Sequence, residues 1–143
     1  MAFPTDFSPD ETMLVYELSS SSMWHKEGVV YICPKEGIAH TTREAKEQIS
    51  VFQEKIAEND KQYALICDIR RTNPIDKECR DYYNSQEASQ NVRSFAFLVE
   101  SRYSMVMANF FIGLSTLKVK TRMFSSTPEA VLWSTAQIAQ QEN

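Results

Sequence analysis

The chain has 143 residues, of which 43% are hydrophobic and 11% aromatic, which suits one folded domain and excludes a disordered chain. Its net charge of −4, with the basic residues dispersed, argues against duplex nucleic acid as a partner, because that needs a dense basic surface. Three cysteines, Cys33, Cys67 and Cys79, have no CxxC spacing and argue against a disulfide framework.

Residues 1–11 are short and polar and read as a mobile lead, without the basic start and apolar core of a signal peptide. Residues 12–140 read as a single α/β domain. No apolar run approaches the roughly 20 residues that span a bilayer, so the expected location is the cytoplasm. Thr12–Leu18 is a predicted strand, and Ser19–Ser22 reads as a turn or a short capped helix. Glu27–Cys33 is β-branched and aromatic, bounded by Gly28 and Pro34, and is predicted as a strand antiparallel to the first.

Thr41 and Glu44 have capping-box spacing. Ala45, Ile49, Phe52 and Ile56 then keep helical time, predicting an amphipathic helix to about Asn59. Gln62–Ile69 is nearly continuous in apolar residues, as in a strand covered on both faces. A second helix is expected from the loop at Thr72–Pro74 to about Asn91, with Ile75, Cys79, Tyr82 and Tyr83 inward and Cys79 partly exposed. Ser94–Val99 is a buried strand, Arg102–Leu114 a helix and Val119–Phe124 a strand. Thr127-Pro128-Glu129 opens a last helix, with Ala130, Val131, Trp133 and Ala136 able to pack inward. The order is ββαβαβαβα, which predicts a mainly parallel four- to five-stranded sheet with flanking helices.

In the Arg102–Leu114 helix, Tyr103, Val106, Met107, Phe110, Phe111 and Leu114 form a core-facing stripe. Met105, Ala108 and Ile112 form a second apolar stripe. Either the same domain covers it, or it meets a second copy or a partner, or a lipid-like ligand lies beside it. Met105, Ala108, Asn109 and Ile112 are the candidate interface residues.

Ligands of open α/β sheets sit at the carboxyl ends of the strands. Those ends carry Asp68, Arg70, Arg71, Thr72 and Asn73, then Glu100, Ser101 and Arg102, then Ser125, Ser126 and Thr127. Arg70, Arg71, Ser101, Arg102 and Ser126 are therefore candidate contacts for a small anionic or lipid-like ligand. The competing reading is solvated loop charges and ordinary helix caps.

His25 and His40 lack metal-ligand spacing, and no GxSxG elbow or Gly-rich phosphate loop occurs. No catalytic residue, metal or cofactor is expected, and the chain reads as a non-enzyme. An enzyme would need one of the histidines within reach of a nucleophile such as Ser101 or Cys79.

Several stretches carry a family resemblance. They are Cys67-Asp68-Ile69-Arg70, Cys79 through Tyr83 with Glu87-Ala88-Ser89, Phe97-Leu98-Val99-Glu100-Ser101, Ala108 through Leu114, Thr121 through Phe124, and Glu129-Ala130 with Trp133. Over roughly residues 64 to 135 the chain resembles small bacterial proteins described as STAS-like, SpoIIAA-like or anti-sigma-factor-antagonist-like. The resemblance implies a STAS-type fold and a non-catalytic regulatory or protein-interaction module; with the second apolar stripe, it leads to the expectation of a homodimer self-associating through the Arg102–Leu114 helix. Several STAS domains are switched by phosphorylation of a Ser or Thr at a helix start. Here the matching region reads Asn73-Pro74-Ile75-Asp76-Lys77-Glu78, without that hydroxyl, which speaks against a phospho-switch. Related SpoIIAA-like domains are similar to lipid-binding modules, which implies the alternative of a small ligand.

Overall fold

A computed structural model describes residues 3–72, 76–83, 85–100 and 119–142. Six strands form one sheet in sequential order: β1 (Tyr16–Glu17), β2 (Ser21–Lys26), β3 (Val29–Pro34), β4 (Tyr63–Asp68), β5 (Val92–Leu98) and β6 (Lys120–Phe124). The β1–β2 and β2–β3 pairs are antiparallel, whereas β3–β4, β4–β5 and β5–β6 are parallel. The helices are α1 (Thr42–Val51), continued by a π-helical turn over Phe52–Ile56, then α2 (Lys77–Tyr83) and α3 (Thr127–Glu142). The mainly parallel α/β sheet expected from the sequence is present. The predicted helix Arg102–Leu114 lies outside the described residues.

The sixth strand comes from the serine run. Expected as a turn or a short capped helix, it enters β2, and Ser20, Ser21 and Ser22 are all buried. Serine has weak strand preference, but the apolar β3 opposite supplies the partner, with Met23 facing Ile32 and Trp24 facing Tyr31. The hairpin closes over Glu27 (φ +51°) and Gly28 (φ +84°), a two-residue turn with both residues left-handed, as a twisted antiparallel pair favours. The predicted strand Thr12–Leu18 contracts to β1, because only Tyr16 and Glu17 find partners on β2.

The sheet has two apolar faces. On one, Met23, Val30, Ile32, Leu65, Cys67, Phe95 and Phe97 pack under α1 and α2, with Ala45, Ile49, Phe52 and Cys79. On the other, Trp24, Val29, Cys33, Ala64, Ile66, Ala96 and Leu98 pack with Ala130 of α3 and with Phe7. Strand period two separates Leu65 and Cys67 from Ala64 and Ile66, which explains the continuous apolar run in β4. At the start of α1, Glu44 Oε1 accepts from the Thr41 amide at 3.2 Å and the Thr41 hydroxyl at 2.7 Å.

Three local expectations change. Helix α2 ends at Tyr83 rather than near Asn91, and the chain then turns. Asn91 (φ +66°) holds the entry to β5, its Nδ2 donating to Lys61 O at 2.8 Å and Glu58 O at 3.2 Å. Cys79 is buried, not partly exposed, because it joins the core beneath α2. Helix α3 is rotated from its expected face. Ala130, Ser134 and Gln137 are buried, Val131 and Trp133 are half-buried, and Ala136 is exposed. Among the described residues Ser134 Oγ and Gln137 Oε1 have no hydrogen-bond partner, so apolar burial by the rest of the helix outweighs their desolvation.

Candidate functional site

The carboxyl ends of β4 and β6 meet one corner of the second sheet face. Asp68 closes β4 on the same side as Ala64 and Ile66 and is buried. Its carboxylate takes Arg70 side-on: Arg70 Nε donates to Oδ1 and Nη2 to Oδ2, each at 2.8 Å, while the Arg70 amide donates to Oδ1 at 3.1 Å. The outer edge of the same guanidinium faces Asp6. Arg70 Nη1 donates to Asp6 Oδ2 at 2.8 Å and Nη2 to Oδ1 at 3.0 Å. Thr127, the first residue of α3, adds its hydroxyl to Asp6 Oδ2 at 3.0 Å.

One guanidinium is thus forked by two carboxylates, an arrangement its planar donor set favours. The hydrogen bonds that Arg70 donates to Asp68 and then to Asp6 push its pKa up from the ordinary value. The Arg70 hydrogen bond holds the Asp6 carboxyl below its usual value, with Thr127 contributing and partial burial opposing. The two halves differ in worth. Asp68 is buried, whereas the Asp6 side chain is 48% exposed and its attraction is screened by water. Asp68→Asn is expected to cost about 2 kcal/mol, and Asp6→Asn about 0.5 kcal/mol, measured as urea unfolding free energies. Equal costs at the two positions would refute this division.

Arg71 stands apart from this fork. Its Nη1 lies 3.8 Å from the exposed carboxylate of Glu36, and its Nη2 points at Cys33 Sγ at 3.7 Å. Burial, more than the nearby Asp68 charge, pushes the Cys33 thiol up to about 11. Ser126 precedes α3, and its hydroxyl accepts from the Glu129 amide at 3.4 Å, as a cap does. Of the expected ligand contacts, Arg70, Arg71 and Ser126 are thus at the strand ends. Among the described residues Arg70 is linked to the start of α3 through Asp6. Ser101, Arg102, Met105, Ala108, Asn109 and Ile112 lie outside the described residues.

The histidines diverge. His25 is exposed on β2, paired with Val30. His40 is buried just before α1, its Nε2 2.5 Å from Tyr83 Oη, and Tyr83 donates to Gln48 Oε1 at 3.0 Å. Among the described residues no cluster of three or more His, Cys, Asp or Glu side chains could hold a metal, and no helix is long and apolar enough to cross a membrane.

Sequence reasoning missed Asp6. Asp6 falls within residues 1–11, expected as a mobile lead; Phe3, Phe7 and Met13 pack against the second sheet face. Phe7 is buried there, 5.5 Å from Trp24 and 5.7 Å from Tyr31 between ring centroids. Phe3 meets Trp24 edge-on at 5.4 Å, and Trp24 stacks on Tyr31 at 5.7 Å. A local signal existed: Phe3-Pro4 and Pro9 bracket Asp6-Phe7, a carboxylate beside an aromatic ring in a stiffened stretch. Its partner Arg70 is 64 residues away, beyond any local pattern.

The family described as a domain of unknown function, DUF7793, matches residues 23–137. Among solved structures, the chain is similar to an uncharacterized protein of the DUF3478 family with a SpoIIAA-like fold from Shewanella loihica PV-4. The TM-score is 0.53 at 9% identity, covering 86% of this chain and 92% of that one. No curated protein matches the sequence. The SpoIIAA-like fold expected from the sequence resemblance is therefore the fold observed.

Proposed function

Because the chain belongs to the DUF7793 family and has a SpoIIAA-like fold, we propose that it is a non-catalytic regulatory or protein-interaction module. The observation that carries this reading is the state of the polar groups. Arg70 is shared between two carboxylates, His40 is buried against Tyr83, and all three thiols are buried. These chemistry-bearing side chains hold elements together rather than face a substrate.

The finer part of the proposal is self-association as a homodimer through Arg102–Leu114. It rests on the second apolar stripe of Met105, Ala108 and Ile112, with Asn109 beside it in the sequence. Light scattering at high concentration is expected to give a dimer that Met105→Glu or Ile112→Lys converts to monomer. A wild-type monomer would remove this part of the proposal.

A second reading is a small anionic or lipid-like ligand at the strand ends, with Arg70, Arg71, Ser101, Arg102 and Ser126 as contacts. The observation favouring it is Arg71, whose ion pair with the exposed Glu36 is long at 3.8 Å and leaves its charge weakly compensated.

A further inference from the structure

The segment at residues 3–13 is attached to the sheet in an unusual way. Among the described residues its backbone hydrogen bonds are internal: Phe7 N–H to Pro4 O at 3.1 Å and Met13 N–H to Asp10 O at 3.2 Å. Asp10 is likewise spent locally, accepting from the Thr12 amide at 2.8 Å. What joins the segment to the domain is side chains alone. Phe7 is sunk against Trp24 and Tyr31, and Asp6 is clasped by Arg70 and Thr127. The DUF7793 match begins at Met23, so the segment is additional to the matching region.

We propose that this segment is a displaceable strap occupying, in cis, a docking groove for a partner protein segment in which a carboxylate directly precedes an aromatic ring. The groove has two complementary parts. Trp24 and Tyr31 offer an aromatic wall, and Arg70 with the Thr127 hydroxyl offers donors to one carboxylate. Asp6-Phe7 fills both at once, and so displays the chemistry the groove selects. Asp68 already holds the inner edge of Arg70, so the outer edge stays aimed at the groove when Asp6 leaves. A strap without ladder hydrogen bonds can leave without unpairing a strand. A resident ligand lowers the apparent affinity of any competitor, so the occupied groove is autoinhibited. This inference deepens the interaction-module reading by naming a partner chemistry. It does not depend on self-association through residues 102–114, so a monomer in light scattering leaves it intact.

The test uses the full chain and a fluorescein-labelled peptide with the sequence of residues 3–9. Anisotropy is expected to show at least tenfold tighter peptide binding to a chain carrying Asp6→Ala and Phe7→Ala than to wild type. Adding Arg70→Gln to that chain is expected to weaken peptide binding about two- to threefold, the share of an ion pair whose carboxylate is half exposed. Should the double variant lose its circular dichroism, Asp6→Ala alone, which removes no buried apolar contact, is expected to show the same order of affinities. In wild type, excess peptide is expected to speed hydrogen exchange of residues 3–13 while β4 and β5 stay protected. Equal binding to wild type and variant, indifference to Arg70→Gln, or strap exchange only on global unfolding would each overturn the proposal. So would a wild-type dimer that the peptide dissociates, since the occupant would then be the strap of a second copy.

Discussion

Trp24→Ala is expected to destabilise the chain by about 3–5 kcal/mol, lowering the melting temperature by roughly 10–20 °C. Trp24 is 1% exposed at the centre of β2. Its ring lies nearly parallel to Tyr31, with 5° between the planes, and meets Phe7 and Phe3 on its other contacts. Removal therefore empties the middle of an aromatic cluster that joins the hairpin to residues 3–13. Tyr31 is held in place by β3, so the hole closes poorly on that side and the cavity adds to the lost transfer free energy. Phenylalanine at the same position keeps most of the stacking area and is expected to cost less than half as much. Urea unfolding of the two variants checks this. An alanine variant within 1 kcal/mol of wild type would mean that the cluster contributes little to the fold.

The second large effect is a loss of stability in mild acid, set by His40. Tyr83 Oη lies between His40 Nε2 at 2.5 Å and Gln48 Oε1 at 3.0 Å, so the imidazole is one end of a buried hydrogen-bonded chain. The ring is buried between the entry to α1 and helix α2. Burial lowers its pKa from 6.5 to about 4, with the Glu44 carboxylate opposing the change. Above pH 6.5 both the folded and unfolded chains hold the ring neutral, and it adds no pH slope. As pH falls from 6.5 towards 4, the unfolded chain takes up a proton that the folded chain refuses, so stability falls throughout this window. The full loss is about 3 kcal/mol, at about 1.4 kcal/mol for each pH unit. Asp6 and Glu44, whose carboxyls are held below their usual values, add their own losses at the acid end as they protonate. His40→Gln keeps a hydrogen-bonding partner for Tyr83 but cannot titrate. Its unfolding free energy is expected to stay nearly flat between pH 6.5 and 5, where the wild type declines. Parallel curves for the two proteins would assign the acid sensitivity to other groups.

The His40 network also shows what the sequence concealed. A histidine in a loop two residues ahead of a helix carries no sign of burial. Its partners lie on α1 and α2, brought together only when both helices pack on the same face of the sheet. The same holds for Arg70. Its place at the end of β4 was readable from the apolar run that precedes it, and so was its potential as an anion contact. Its neutralisation by Asp6 was not, because that pair joins residues 64 apart.

What the sequence by itself determined was the alternation of elements. The periods of α1 and β4, the cap at Thr41 and the Thr127-Pro128 start of α3 are local signals, each resting on neighbours a few residues away. They sufficed for a mainly parallel α/β sheet, while the SpoIIAA-like resemblance rested on residue stretches such as Phe97 through Ser101 and Ala108 through Leu114. Only the tertiary structure decided which weak segments joined that frame. The serine run became β2 because an apolar strand stood ready to pair with it, and the entry to β5 is held by Asn91 donating to carbonyls some thirty residues earlier. Residues 3–13 came to lie on the sheet because a ring and a carboxylate found Trp24, Tyr31 and Arg70. In each case the free energy comes from contacts distant in sequence, which no local propensity encodes.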